Sequence, residues 1–211
     1  MYSLNIYKGC GHKCIYCYAR SYISRLHPRF EEPSPRVRFK ERIREDTRRL
    51  SKFIRLPVAI SNSTDPYQPL EKKCKDTRFA LSILKDYNFP VLITTKSDLI
   101  LRDFGIISEM DAVIAVTITN LSSERAKILE VNAPPIENRL KVVEEFSASG
   151  INTVVRIDPL IPGWNTNERD LRELVEKVAE AGVRRIITSV IKVRYEFKQL
   201  LEEIYAISQG K

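Results

Sequence analysis

Three cysteines within eight residues, Cys10, Cys14 and Cys17, constrain this chain more than any other feature. They lie in the stretch YKGCGHKCIYCYAR, from Tyr7 to Arg20, with a C-x3-C-x2-C spacing. The thiolate is the form of cysteine that ligates metal, and clustered thiolates suit zinc or iron–sulfur clusters. Three thiolates are one short of the four that close a structural site. A cube of four irons held by three of them leaves one iron open to another ligand. Gly9 and Gly11 give the backbone the freedom to wrap such a group. Lone cysteines usually behave as small buried hydrophobes, and a triplet this tight is not explained that way. A zinc knuckle completed by His12 is the competing reading. Zinc fingers usually bring a second, distant ligand pair, and the rest of the chain offers only His27 and Cys74.

The surrounding sequence alternates short apolar runs with amphipathic stretches. Ser3–Tyr7, Pro57–Ile60, Val91–Thr94, Ala112–Val116, Thr153–Ile157 and Arg185–Ile191 read as six strands. Between them come helical stripes. Tyr18–Leu26 is stopped by His27-Pro28, and a basic helix lies within 36–55. One helix opens near Asp76, another spans Asp98–Ile107, and another follows Pro135 and ends at Gly150. Asn167 caps the next, and a last one carries Phe197, Leu200, Leu201, Ile204 and Tyr205. Strands that are apolar throughout, alternating with helices, imply a parallel sheet covered by helices. Six βα units are fewer than the eight of a closed barrel. The expected fold is therefore α/β, a partial (βα)6 barrel, formed by residues 1–211 as one domain with a basic helical insertion at about 36–55.

In parallel βα folds ligands lie beyond the carboxyl ends of the strands, and the polar residues of this sequence gather there. The cysteines follow the first strand. Thr64 and Asp65 follow the second, Lys96 the third and Thr117 the fourth, and Arg156 sits in the fifth. A strand-end lysine in a barrel mouth needs an anionic partner. Arg156 in an apolar strand raises the same demand, with Asp158 or Glu137 as available counter-charges. Each hydroxyl could equally be a helix cap or turn bond.

The cysteine spacing, with Tyr16 just before the last cysteine, resembles the radical S-adenosylmethionine (SAM) enzymes. That resemblance implies a 4Fe-4S cluster on Cys10, Cys14 and Cys17, with SAM on the fourth iron and reductive cleavage of SAM to a 5′-deoxyadenosyl radical. The (βα)6 core is also common in that family. The segments TDPYQPLE, TTKSDLILRD and DPLIPGW look like its spore photoproduct lyase-like branch, and the likeness covers nearly the whole chain. By that resemblance Thr64, Lys96 and Thr117 hold the amino acid part of SAM. Tyr16 lies against the adenine, mainly through its backbone. The family also implies a low-potential electron donor of flavodoxin or ferredoxin type. One position departs from the branch: Asn62 stands where the lyase carries its hydrogen-donating cysteine.

Net charge is +8, and residues 36–55 hold nine Lys/Arg against three Asp/Glu. A basic face of this kind attracts nucleic acid; it is also the ordinary solvated face of a charge-rich protein. The expected activity is hydrogen abstraction from an unidentified substrate, with nucleic acid as a candidate class. A zinc- or cluster-bearing nucleic-acid-binding module without catalysis is the other reading. A peptide maturase ranks lower, because no second cysteine cluster is present. No apolar stretch is long enough to span a bilayer, and free thiolates call for a reducing cytoplasm.

Overall fold

The computed structural model describes residues 1–23 and 29–192, together with residues 202, 205 and 206. The strands are β1 (Tyr2–Leu4), β2 (Tyr7–Lys8), β3 (Ser34–Pro35), β4 (Val58–Ile60), β5 (Val91–Thr95), β6 (Ala112–Thr117), β7 (Asn152–Leu160) and β8 (Ile186–Val190). The helices are α1 (Tyr18–Ile23), α2 (Phe39–Leu50), α3 (Glu71–Cys74), α4 (Asp76–Asp86), α5 (Phe104–Ile107), α6 (Ser123–Leu129), α7 (Ile136–Ala148) and α8 (Glu168–Glu180), with a 3-10 segment at Asp98–Asp103.

Six strands form one parallel sheet in the order β1-β4-β5-β6-β7-β8. Chain order and spatial order agree, as they do when each strand returns through a helix to pair beside its predecessor. This is the α/β partial barrel expected from the sequence. Alternate side chains of a strand point to opposite faces. Val91, Ile93, Ile114, Val155 and Ile157 share one core with Leu81, Leu84, Val143, Phe146, Leu174 and Val178 of the helices. Arg156, between Val155 and Ile157, is therefore aimed at the other face, as is Lys96 beyond β5.

The first expected strand divides. Tyr2–Leu4 joins the sheet, whereas Tyr7–Lys8 pairs antiparallel with Ser34–Pro35. The Asn5 side chain between them accepts a hydrogen bond from the Ser63 N–H at 3.3 Å, which draws the chain toward the end of β4. The basic segment is also shorter as a helix than expected. Helix α2 ends at Leu50, and Phe53 and Ile54 are 70% and 77% exposed instead of continuing the buried stripe of Phe39 and Ile43. Pro57 holds Leu56 to extended backbone at the entry to β4, although the helix has already ended at Leu50. Asp98–Ile107 is a 3-10 segment followed by one turn of α-helix, with the Ser97 hydroxyl accepting from Leu99 N–H at the start. Helix α6, capped by Ser122, was not expected from the sequence. The stretch beyond Ile23 in the first helix, and Phe197, Leu200, Leu201 and Ile204 of the last, lie outside the described residues. Among the described residues no helix is long and apolar enough to cross a membrane.

Candidate functional site

The carboxyl ends of the strands surround a cavity of about 480 Å³. Its lining includes Cys10, Cys14, Cys17, Tyr16, Thr64, Asp65, Lys96, Thr117 and Arg156, which brings every site residue expected from the sequence to one space. Ser61, Asn62, Asp158 and Ser189 complete much of the wall.

The cysteine loop is held from two sides. On one, Gln68 accepts from the Gly11 N–H at 2.7 Å and donates to the Gly9 carbonyl at 3.2 Å. On the other, the Asn132 side chain donates to the Gly11 carbonyl at 2.9 Å, and the Asn132 N–H donates to the His12 carbonyl at 3.0 Å. Gly9 is required here: its φ is +74°, and a Cβ would sit 2.4 Å from the Phe30 carbonyl oxygen. Ile15 and Tyr16 pack on the small apolar cluster of Leu129, Ile161 and Trp164.

Asp65 ties the loop after β4 to the end of β5. It accepts from Tyr67 N–H at 2.8 Å, the Thr95 hydroxyl at 2.7 Å and Lys96 N–H at 2.7 Å, and His12 Nε2 lies 3.3 Å away. Burial would raise its carboxyl, but His12 and these donors outweigh burial and bring it down to about 2. Its oxygens are thus engaged with protein. Lys96 Nζ lies 5.6 Å from the centre of the Tyr16 ring. Burial works against its charge; Cys14 and Glu130 nearby outweigh it and hold Lys96 above the ordinary lysine range. Arg156 donates to Asp158, which also accepts the Ser189 hydroxyl.

Several functional neighbours were missed in the sequence. Glu130, fully buried, accepts from the Tyr16 hydroxyl, from Thr119 at 3.3 Å and from the buried Arg139. Burial alone would raise the Glu130 carboxyl; Arg139 and Lys96 hold it below the usual glutamate range. A signal existed for Arg139, a charged residue spaced three from Ile136 and four from Val143 on the apolar stripe of α7. Gln68 and Asn132 gave none, since each acts across more than fifty residues of sequence.

The donor set fits an iron–sulfur cluster and SAM. All four cysteines are free thiols, and three of them meet at the cavity. Burial pushes Cys10 up to about 12, with Asp65 adding to it, and pushes Cys14 up against the pull of Lys96. Buried thiolates need compensating positive charge, which bound irons supply. Among the described residues no group of three His, Cys, Asp or Glu side chains forms a site for a single ion. The Thr64 and Ser61 hydroxyls are buried on the cavity wall with no hydrogen-bond partner among the described residues. Buried hydroxyls are normally paired, so these two suit a polar ligand.

Comparison with known proteins gives the same direction. Residues 4–175 match the model of the radical SAM superfamily. A Methanocaldococcus jannaschii protein of uncharacterised function is 28% identical over 212 residues, covering 97% of this chain and 76% of the relative. In fold, the chain is similar to a variant of spore photoproduct lyase with bound AdoMet and dinucleoside spore photoproduct. The TM-score is 0.70 at 14% identity, over 96% of this chain and 60% of the lyase. It is also similar to Streptococcus suis SuiB bound to S-adenosylmethionine, with a TM-score of 0.67 at 17% identity, over 99% of this chain and 48% of SuiB. The match covers most of the chain and includes the cysteine loop and the ends of every strand of the six-stranded sheet except β8: this chain belongs to the radical SAM superfamily.

Proposed function

We propose that the chain is an enzyme that binds a 4Fe-4S cluster through Cys10, Cys14 and Cys17 and cleaves SAM reductively. The observation that carries this reading is that three free thiols, an ammonium and two hydroxyls unpaired among the described residues line one cavity. When bound, the cluster supplies one electron to SAM, yielding methionine and a 5′-deoxyadenosyl radical that abstracts hydrogen from substrate. The chain's own residues bind and orient. Lys96 pairs with the SAM carboxylate, Thr64 and Thr117 bond its amino acid end, and the Tyr16 backbone lies against the adenine. Arg156, locked by Asp158, offers its remaining N–H groups to the ribose side. The cavity walls exclude water from the reacting centre, and the cofactor performs the difficult step. The electron comes from a low-potential flavodoxin- or ferredoxin-type donor.

The experiment is anaerobic iron–sulfur reconstitution, reduction with dithionite, addition of SAM and chromatography for 5′-deoxyadenosine. Wild-type protein is expected to turn brown and form it; Cys14→Ala is expected to form none while staying folded. A colourless protein retaining one zinc would overturn the reading.

For substrate class we favour nucleic acid, on the net charge of +8 and the chemistry of α2. Arg42 and Arg48 on α2, with Lys52 and Arg55 just beyond it, have no partner among the described residues, unlike Arg38, Lys40 and Arg49. Four such cations on single-stranded DNA predict that log K falls with log salt at a slope of about −3. Replacing Arg48 and Lys52 by Glu should flatten that slope. Binding indifferent to salt would remove nucleic acid as the class.

A further inference from the structure

Glu130 does not line the cavity, yet three parts of the site converge on it. Residues 129–132 run beside the cysteine loop: Ile15 N–H donates to the Leu129 carbonyl at 2.8 Å, and Cys14 and Glu130 form an isolated antiparallel bridge. From this rail the Glu130 side chain takes the Tyr16 hydroxyl on one oxygen and Arg139 on the other. Arg139 in turn donates to the Pro134 carbonyl at 2.9 Å and to the Thr117 carbonyl, at the end of β6, at 3.2 Å. The Tyr16 ring held this way is the one beneath the Lys96 ammonium.

A carboxylate removed from water costs several kcal/mol unless it is paired and hydrogen-bonded. Glu130 meets that demand with Arg139 on one oxygen; the other accepts the Tyr16 phenol and, at a longer 3.3 Å, the Thr119 hydroxyl. A charge-assisted bond is roughly twice as strong as a neutral one, so this oxygen fixes the ring and the loop backbone on either side of it. We propose that Glu130 is a positioning residue. Acting through the Tyr16 hydroxyl, it sets the distance between the cysteine loop and the Lys96 ammonium, and so the relative placement of the two parts of one ligand set. The role rests on the cluster-and-SAM reading only for its purpose; the seating itself is a property of the protein without cofactor.

The test therefore has an apo arm. Iodoacetamide labelling of cofactor-free protein, read by peptide mass spectrometry, gives the rate at Cys14 relative to Cys74 as an internal reference. Partners that orient ligands typically change affinity 10–100-fold when removed, so Tyr16→Phe is expected to raise the relative Cys14 rate ~10-fold. Glu130→Gln should do the same, and the double variant no more than either, because both act on one bond. In reconstituted protein the same variants are expected to raise KM for SAM ~10-fold and to alter the electron paramagnetic resonance change that SAM causes in the reduced cluster. Wild-type labelling in Tyr16→Phe, or single effects that multiply in the double variant, would overturn the proposal. Should Glu130→Gln fail to fold, Tyr16→Phe decides alone, since it leaves the Glu130–Arg139 pair in place. Wild-type protein that takes up no iron but shows the labelling pattern would keep the seating role and discard the cofactor reading.

Discussion

Lys96→Met is expected to leave the protein folded and to weaken SAM binding by about 2–5 kcal/mol, a loss of roughly 30-fold to 4000-fold. The ammonium lines the cavity and, among the described residues, has no carboxylate at salt-bridge distance; the Tyr16 ring and Cys14 are near it. A half-buried cation of this kind is open to a partner that arrives from outside. Removing it relieves desolvation and leaves no buried anion unpaired, so the melting temperature should stay level or rise. Equilibrium dialysis of labelled SAM against reconstituted protein, with a melting curve beside it, separates the two quantities. The lysine is held above its ordinary range by Cys14 and Glu130 against the opposing effect of burial. It therefore stays protonated through neutral pH, and SAM affinity should not fall with rising pH below the ordinary lysine value of about 10.4. Undiminished affinity in Lys96→Met would transfer the carboxylate to Arg156, another cation of the cavity lining.

The fold was legible where one physical signal dominated. Val91–Thr95 and Ala112–Thr117 are apolar runs bounded by polar loops, and they are the central strands of the sheet. The site was legible for the same reason: in a parallel sheet, position at a strand end fixes the neighbourhood of Thr64, Lys96 and Thr117. Failures came where tertiary contacts override local pattern. Ile6 continues the alternation of the first strand, but Asn5 is drawn to the β4 loop and the sheet stops at Leu4. Phe53 and Ile54 have helical spacing and yet lie beyond the end of α2. The braces were illegible altogether. His12 meets Asn132, and Tyr16 meets Glu130, across more than a hundred residues, and no local spacing encodes such a pairing. The TDPYQPLE and TTKSDLILRD segments combine both kinds of residue. Thr64 and Lys96 face the cavity, whereas Gln68, Glu71, Arg102 and Asp103 face the scaffold.

That division predicts a second large effect, on stability instead of binding. Glu71 is fully buried and accepts from Tyr7, from Thr77 N–H at 2.9 Å, from Arg78 N–H at 3.3 Å and from Arg102. Asp103, also buried, accepts from Arg78 at 2.9 Å and from Arg102 at 2.9 and 2.7 Å. Asp103, helped by Glu71, raises the Arg102 guanidinium above its usual value. The network joins the strand that leads into the cysteine loop, the start of α4 and the 3-10 segment after Lys96. Glu71→Ala leaves the Tyr7 hydroxyl and the Thr77 N–H buried, and the Arg78 N–H part-buried, without that acceptor. Breaking a buried ion pair from one side costs about 3–5 kcal/mol. At this chain length that corresponds to a fall in melting temperature of roughly 6–20 °C. The protein that remains folded should bind SAM as wild type does, because no Glu71 atom lines the cavity. Lys96→Met and Glu71→Ala thus give opposite signatures, affinity lost with stability kept and stability lost with affinity kept. A Glu71→Ala protein that melts normally but fails to bind SAM would mean that the network reaches the cavity, and that the motif positions the ligand as well as the scaffold.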